Sequence, residues 1–172
     1  MKHIGVFYGA KANTTGRIAN KIADALKTAA KTQKKSIKVS LIPIEDDWRP
    51  DFSDYDLSVL GVSTWFDGEL PNYWDEALPA LRTLDLSNKS VAIFGLGDQE
   101  NYPENFVDGI GYLATIFESL GATVTGYTST EGYTYLRSAA QRGDQFAGLA
   151  IDQDSQPEQT DGRIESWVAT LL

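Results

Sequence analysis

One stretch near the N-terminus narrows the fold more than any other. His3-Ile4-Gly5-Val6-Phe7-Tyr8-Gly9 is a largely apolar run of strand length that ends on glycine. Ile18, Ala19, Ile22, Ala23 and Leu26 follow it at the three-and-four spacing of a helix face. Between them lies a short polar loop, Ala10-Lys11-Ala12-Asn13-Thr14-Thr15. A buried strand that hands over directly to a helix is the first half of a parallel crossover unit. Backbone N–H groups in the first turn of a helix have no intrahelical partner, so this loop is a natural place for a phosphate.

The alternation continues down the chain. Strand-like runs at Ile37–Ile42, Leu57–Val62, Val91–Phe94 and from Val124 alternate with helical patterns at Thr15–Ala30, Asn72–Leu84, Phe106–Leu120 and Asp161–Leu172. This predicts an α/β fold, a doubly wound five-stranded parallel sheet, in a single domain spanning residues 1–172. Pro79 lies inside the second helical pattern and removes a backbone donor, so a kinked or short helix is expected there. A polar segment, Thr128–Gln145, interrupts the fifth strand before Phe146–Ile151 supplies another piece of it.

Composition excludes several function classes. The chain has no cysteine, which rules out disulfides, thiol catalysis and thiolate-held metals or clusters. Its net charge of −9 opposes binding to nucleic-acid phosphates. No apolar run reaches membrane-spanning length, and Met1-Lys2-His3-Ile4 leads straight into a strand, so no signal peptide and a cytoplasmic location are expected. The sole histidine, His3, stands at the start of the first strand and reads as structural.

Doubly wound sheets bind ligands beyond the carboxyl ends of their strands, where strand order reverses. Three loops follow those ends: residues 9–15, 63–72 and 95–105. The second reads Ser63-Thr64-Trp65-Phe66-Asp67-Gly68-Glu69-Leu70, with two adjacent aromatic residues in a polar setting. They either tuck back onto the domain or cover a ligand. The third reads Gly95-Leu96-Gly97-Asp98-Gln99-Glu100-Asn101-Tyr102-Pro103-Glu104-Asn105-Phe106. Its Gly-x-Gly lacks the third glycine of a dinucleotide fingerprint. Tyr102 either packs on Pro103 or, together with Trp65, flanks one flat heterocycle between the two loops.

These motifs resemble the flavodoxins, specifically the long-chain type. The likeness rests on Ile4–Gly9, Thr64-Trp65 with Gly68-Glu69-Leu70, Phe94-Gly95 with Gly97-Asp98-Gln99, Tyr102, and Asn105-Phe106. It continues through Gly126-Tyr127, Ser129-Thr130, Gly132-Tyr133, Gly148-Leu149-Ala150, Thr160-Asp161, Arg163-Ile164 and Ser166-Trp167-Val168-Ala169. Flavodoxins are among the folds on which the switch-point rule rests, so agreement with that rule adds no independent support. The resemblance implies strand order 2-1-3-4-5, with the fifth strand split by the long-chain insertion. It implies non-covalent FMN and low-potential, one-electron transfer between redox enzymes, in an electron-transfer protein that is not itself a catalyst.

By the same resemblance, Trp65 and Tyr102 cover the two faces of the isoalloxazine. Thr64, Phe66, Asp67, Gly68, Leu96, Gly97, Asp98 and Asn105 surround the ring and its side chain, Asp154 lies near the ribityl chain, and Ala10–Thr15 holds the phosphate. No metal is implied. The implied partners are basic-surfaced redox proteins, such as a flavodoxin/ferredoxin reductase, meeting a monomer. From Glu45 to Glu76 acids dominate and Arg49 is the only base, which suits the steering of such partners.

The family's phosphate loop reads Thr-x-Thr-Gly-x-Thr, and here the first departure from pattern appears. Ala10 and Ala12 stand where it has threonines and Asn13 where it has glycine, while Thr15 is kept. Leu96 also replaces a residue that is often threonine. Asn13 tolerates a left-handed backbone better than most residues, and Lys11 or Arg17 can add charge. Two lost hydrogen bonds, each about 0.5–1.5 kcal/mol, weaken FMN roughly five- to a hundred-fold if nothing compensates. Two other functions fit the fold: an interaction module that has lost FMN, and an FMN-dependent quinone reductase. A phosphoacceptor receiver domain does not fit, because Tyr8-Gly9 and Gly61-Val62-Ser63 stand where its acids belong.

Overall fold

The computed structural model describes residues 1–9, 13–45, 52–64 and 68–172, without the side chains of Asn13 and Phe52. In chain order the elements are β1 (Lys2–Tyr8), α1 (Asn13–Thr32), β2 (Ile37–Pro43), β3 (Leu57–Ser63), α2 (Asn72–Leu81), β4 (Ser90–Leu96) and α3 (Asp108–Ser119). They continue with β5 (Thr123–Thr125), β6 (Thr128–Ser129), β7 (Gln141–Arg142), β8 (Gln145–Phe146), β9 (Leu149–Ile151) and α4 (Thr160–Leu171). The main sheet runs β2-β1-β3-β4-β5, all parallel. β4 pairs with β5 through Ser90–Ala92 and with β9 through Phe94–Leu96. Two separate strands thus cover one side of β4.

Alternation along each strand builds two cores. Ile4, Val6, Leu57, Val59, Ala92 and Phe94 face α1 and α4, against Ile18, Ile22, Leu26, Ile164, Trp167 and Val168. Phe7, Leu60, Val62, Val91 and Ile93 face α2 and α3, against Trp74, Leu81, Ile110, Leu113 and Phe117. Trp74 anchors α2 by donating its indole N–H to the Gly61 carbonyl at 3.0 Å. Near-continuous apolar strands flanked by helices on both faces are what a parallel sheet requires.

Three expectations need revision. Phe146–Ile151 is not one strand piece: β8 joins β6 and β7 in a small antiparallel sheet, and only Leu149–Ile151 returns to the main sheet. Helix α3 starts at Asp108 rather than Phe106, because Val107 sits in the left-handed region at φ 49°. A β-branched residue there is strained, and apolar periodicity cannot report it. The second helix is short and contains Pro79, as expected, but it closes at Leu81 rather than Leu84.

Candidate functional site

The carboxyl ends of β1, β3, β4 and β9 share one edge of the sheet. Ala10, Lys11, Ala12, Trp65, Phe66 and Asp67 lie outside the described residues. The groups around them define the site.

At the end of β1, α1 begins at Asn13, so Thr14 and Thr15 belong to its first turn, where backbone N–H groups are unpaired within the helix. Thr15 is 1% exposed. The Tyr73 ring closes the floor of this corner. A Cβ on Gly9 would lie 2.5 Å from it, which only glycine avoids. Burial pushes the Tyr73 phenol above its ordinary value.

At the end of β3, the Thr64 hydroxyl oxygen accepts from the Gly109 N–H at 3.0 Å, inside the first turn of α3. Its acceptor capacity serves the helix, and its own O–H remains the group a ligand can use. Gly68 adopts φ +91°, with the position of a Cβ 2.7 Å from the Asp108 carboxylate and 2.9 Å from the Asn105 amide. Asn105 donates to Asp108 at 3.2 Å, and the other Asp108 oxygen accepts from the Ala139 N–H at 2.7 Å. Asn105 therefore braces the second loop from beneath.

At the end of β4, Leu96 is half-buried and the Gly97 N–H donates to the Ile151 carbonyl at 3.0 Å. Asp98 organises the loop that follows. Its carboxylate accepts from the Glu100 and Asn101 N–H groups at 3.1 and 3.0 Å and from the Asn101 amide at 2.6 Å. Its carbonyl accepts from the Tyr102 N–H at 2.9 Å. Such side-chain-to-backbone bonding fixes a turn locally. The turn holds out Tyr102, which is 61% exposed.

At the end of β9, Asp154 is exposed, and its carboxyl is raised by partial burial and by the neighbouring charges of Asp98 and Asp152. The residue that sequence reasoning missed is Asp152, which is fully buried. Its carboxylate accepts from the Gln99 N–H and amide at 3.0 and 2.8 Å, from the Asp154 and Ser155 N–H groups, and from the Ser155 hydroxyl. Burial alone would raise this carboxyl. The hydrogen bonds from Ser155 and Gln99 outweigh that and hold it below the ordinary value. Gln99 then accepts from the Thr134 N–H at 2.6 Å, tying the site to the insertion. The only signal in the sequence was an acid immediately after an apolar strand run.

This arrangement fits FMN: helix-start donors for a phosphate, a fixed loop presenting an aromatic face, and hydroxyl and amide groups between them. Among the described residues no group of histidine and acidic side chains is placed to hold a metal, and no helix is long and apolar enough to cross a membrane. The family model described as flavodoxin matches residues 6–167. The chain belongs to the flavodoxin family. It is 38% identical to the flavodoxin of Synechococcus elongatus over 99% of its own length and 96% of that protein. It is 39% identical to flavodoxin 1 of Escherichia coli K12, covering 97% and 91% of the two chains. The Fusobacterium nucleatum flavodoxin bound to flavin mononucleotide superposes with a TM-score of 0.86 at 32% identity, covering 99% and 97%.

Proposed function

We propose that this chain, a single domain acting as a monomer, binds FMN across the carboxyl edge of its sheet and carries electrons between basic-surfaced redox proteins in the cytoplasm. As a flavodoxin it is an FMN-dependent electron carrier rather than a catalyst. The interaction-module and quinone-reductase alternatives are not favoured. The observation that carries the site assignment is Tyr102: a large aromatic ring held out from the domain by an Asp98 turn, on the same sheet edge as a helix start suited to phosphate.

Residues 10–15 hold the phosphate through backbone N–H groups and the Thr15 hydroxyl, with Lys11 adding charge. Trp65 and Tyr102 cover the ring. Phe66, Asp67 and Gly68 follow its edge, Thr64 donates from its hydroxyl, and Leu96, Gly97 and Asn105 form the wall below. Asp154 lies beside the ribityl chain. Bound FMN supplies the one-electron chemistry. Asp98, Glu100 and Asp154 place negative charge around the ring, opposing the charge it gains on reduction and so favouring a low potential.

The test is a titration of the apoprotein with FMN, followed by flavin fluorescence. One equivalent is expected to bind, more weakly than a threonine-rich phosphate loop would allow. Failure to bind FMN at all would overturn the reading.

A further inference from the structure

Tyr102 is 61% exposed, so little packing fixes its ring, and its position is set by the loop that carries it. That loop is rooted on β9. The Gly97 N–H donates to the Ile151 carbonyl at 3.0 Å, and one residue further on the buried Asp152 carboxylate accepts from the Gln99 N–H at 3.0 Å. The Gln99 side chain, itself buried, closes a network around this bond. Its amide donates to Asp152 at 2.8 Å and to the Ser155 hydroxyl at 3.2 Å, and its carbonyl accepts from the Thr134 N–H of the insertion at 2.6 Å. The insertion meets the loop again at Pro103, whose carbonyl accepts from the Leu136 and Arg137 N–H groups at 2.8 and 3.0 Å. The stretch from Gln99 to Pro103, with Tyr102 inside it, is thus held at both ends.

We propose that Asp152 and Gln99 are positioning residues for the flavin ring: together they set the root of the Asp98 turn, and so where Tyr102 stands before the cofactor arrives. The inference rests on the FMN reading above and deepens it. Asp152 is fully buried and its two oxygens are taken by five donors, so it acts through Gln99 and not by touching a ligand. The site requires a carboxylate. One oxygen accepts from Gln99 and the Ser155 hydroxyl, the other from the Asp154 and Ser155 N–H groups. An asparagine would turn an NH2 group toward one of these sets of donors whichever way its amide faced. An aromatic ring already in place loses less freedom on covering the flavin, which retains affinity that a mobile ring forfeits. The network contains no residue of β1 or α1, where the phosphate is proposed to sit.

Riboflavin carries the ring without the phosphate, which makes it the comparison ligand. In titrations under conditions where the apoprotein is folded, Asp152→Asn is expected to weaken FMN and riboflavin alike, by about tenfold. Gln99→Met keeps the net charge and removes the side-chain amide, and it is expected to act in the same direction. Placed on Tyr102→Ala, either substitution is expected to cost less than about twofold more, because the ring it positions is gone. A merely structural role predicts the full loss in both backgrounds, and that result would overturn the proposal. So would an unchanged affinity, or a loss confined to FMN, which would assign the network to the phosphate. Should Asp152→Asn lack a cooperative unfolding transition, Gln99→Met decides by the same criteria. Wild-type protein that takes up neither flavin would instead overturn the cofactor reading, and the positioning role with it.

Discussion

At the scale of single residues, the carboxylates of Asp152 and Asp154 show how position separates two acids of one motif. Asp154 is exposed, and its carboxyl is raised by partial burial and by the charges of Asp98 and Asp152. Asp152 is buried, accepts five hydrogen bonds, and has its carboxyl lowered from 3.8. A depressed carboxyl contributes stability at every pH above its unfolded value and loses it as pH falls through the folded one. The Asp152 contribution is therefore intact at neutral pH and fades only below the ordinary value of 3.8. Asp152→Asn is expected to cost about 1–3 kcal/mol at pH 7, since it removes charge-assisted acceptors from a buried network. The same variant should show a shallower loss of stability on acidification. Denaturant unfolding between pH 7 and pH 3 checks both, and an unchanged midpoint would show that Gln99 and Ser155 find other partners. The sequence pointed to Asp98 and Asp154 because they fall in family motifs. Gln99 shares a motif with Asp98, but its pairing with Asp152 joins residues far apart in the chain and leaves no local pattern.

Among elements, α3 and the insertion behave as one packed unit. The periodicity of Ile110, Leu113, Ala114 and Phe117 made the helix legible, although Gly109 and Gly111 have poor intrinsic helix propensity. The structure gives their reason. A Cβ on Gly111 would stand 2.0 Å from the Ala139 carbonyl oxygen, and one on Gly109 2.8 Å from a Val62 methyl. The insertion lies directly on the helix backbone, held there by the Asp108 bond to Ala139, by Ser138 donating to the Phe106 carbonyl, and by Arg142 bridging to Glu118. Tyr133 carries its far end into a ring cluster with Phe106 and Phe146, under the Arg163 guanidinium 4.0 Å away. In an ordinary helix interior, glycine to alanine stabilises by roughly 1 kcal/mol. Gly111→Ala is expected to reverse that sign and destabilise by about 2 kcal/mol, because a backbone carbonyl must move. Urea unfolding measures it, and a stabilised variant would mean that the insertion is not seated on α3. No pattern in residues 128–146 announced that contact, since a polar segment reads the same whether it packs or floats.

For the molecule as a whole, parallel strand direction turns sequence order into charge separation. Every strand of the main sheet starts at one edge and ends at the other. Lys34 and Lys35 precede β2 and Lys89 precedes β4, so they stand at the amino edge, where they offset Asp54, Asp56 and Asp85. Asp98, Glu100, Glu104 and Asp154 follow β4 and β9, at the edge where the flavin is proposed to sit. A net charge of −9 attracts cationic partners from any side, but this asymmetry also turns the acidic edge toward them. The Coulomb field is screened over about 8 Å at physiological ionic strength, so steering acts mainly on the final approach. The rate of electron transfer to a basic-surfaced acceptor is therefore expected to fall steeply with added salt under second-order conditions. Glu100→Gln, at an exposed position on the acidic edge, should lower the low-salt rate and flatten the salt dependence. Lys35→Gln, at the opposite edge, also changes the net charge by one unit but should leave the rate close to wild type. Stopped-flow measurement across ionic strength separates the two effects. Shifts of equal size and opposite sign would assign the attraction to net charge alone, and a salt-independent rate would remove the electrostatic account of partner approach.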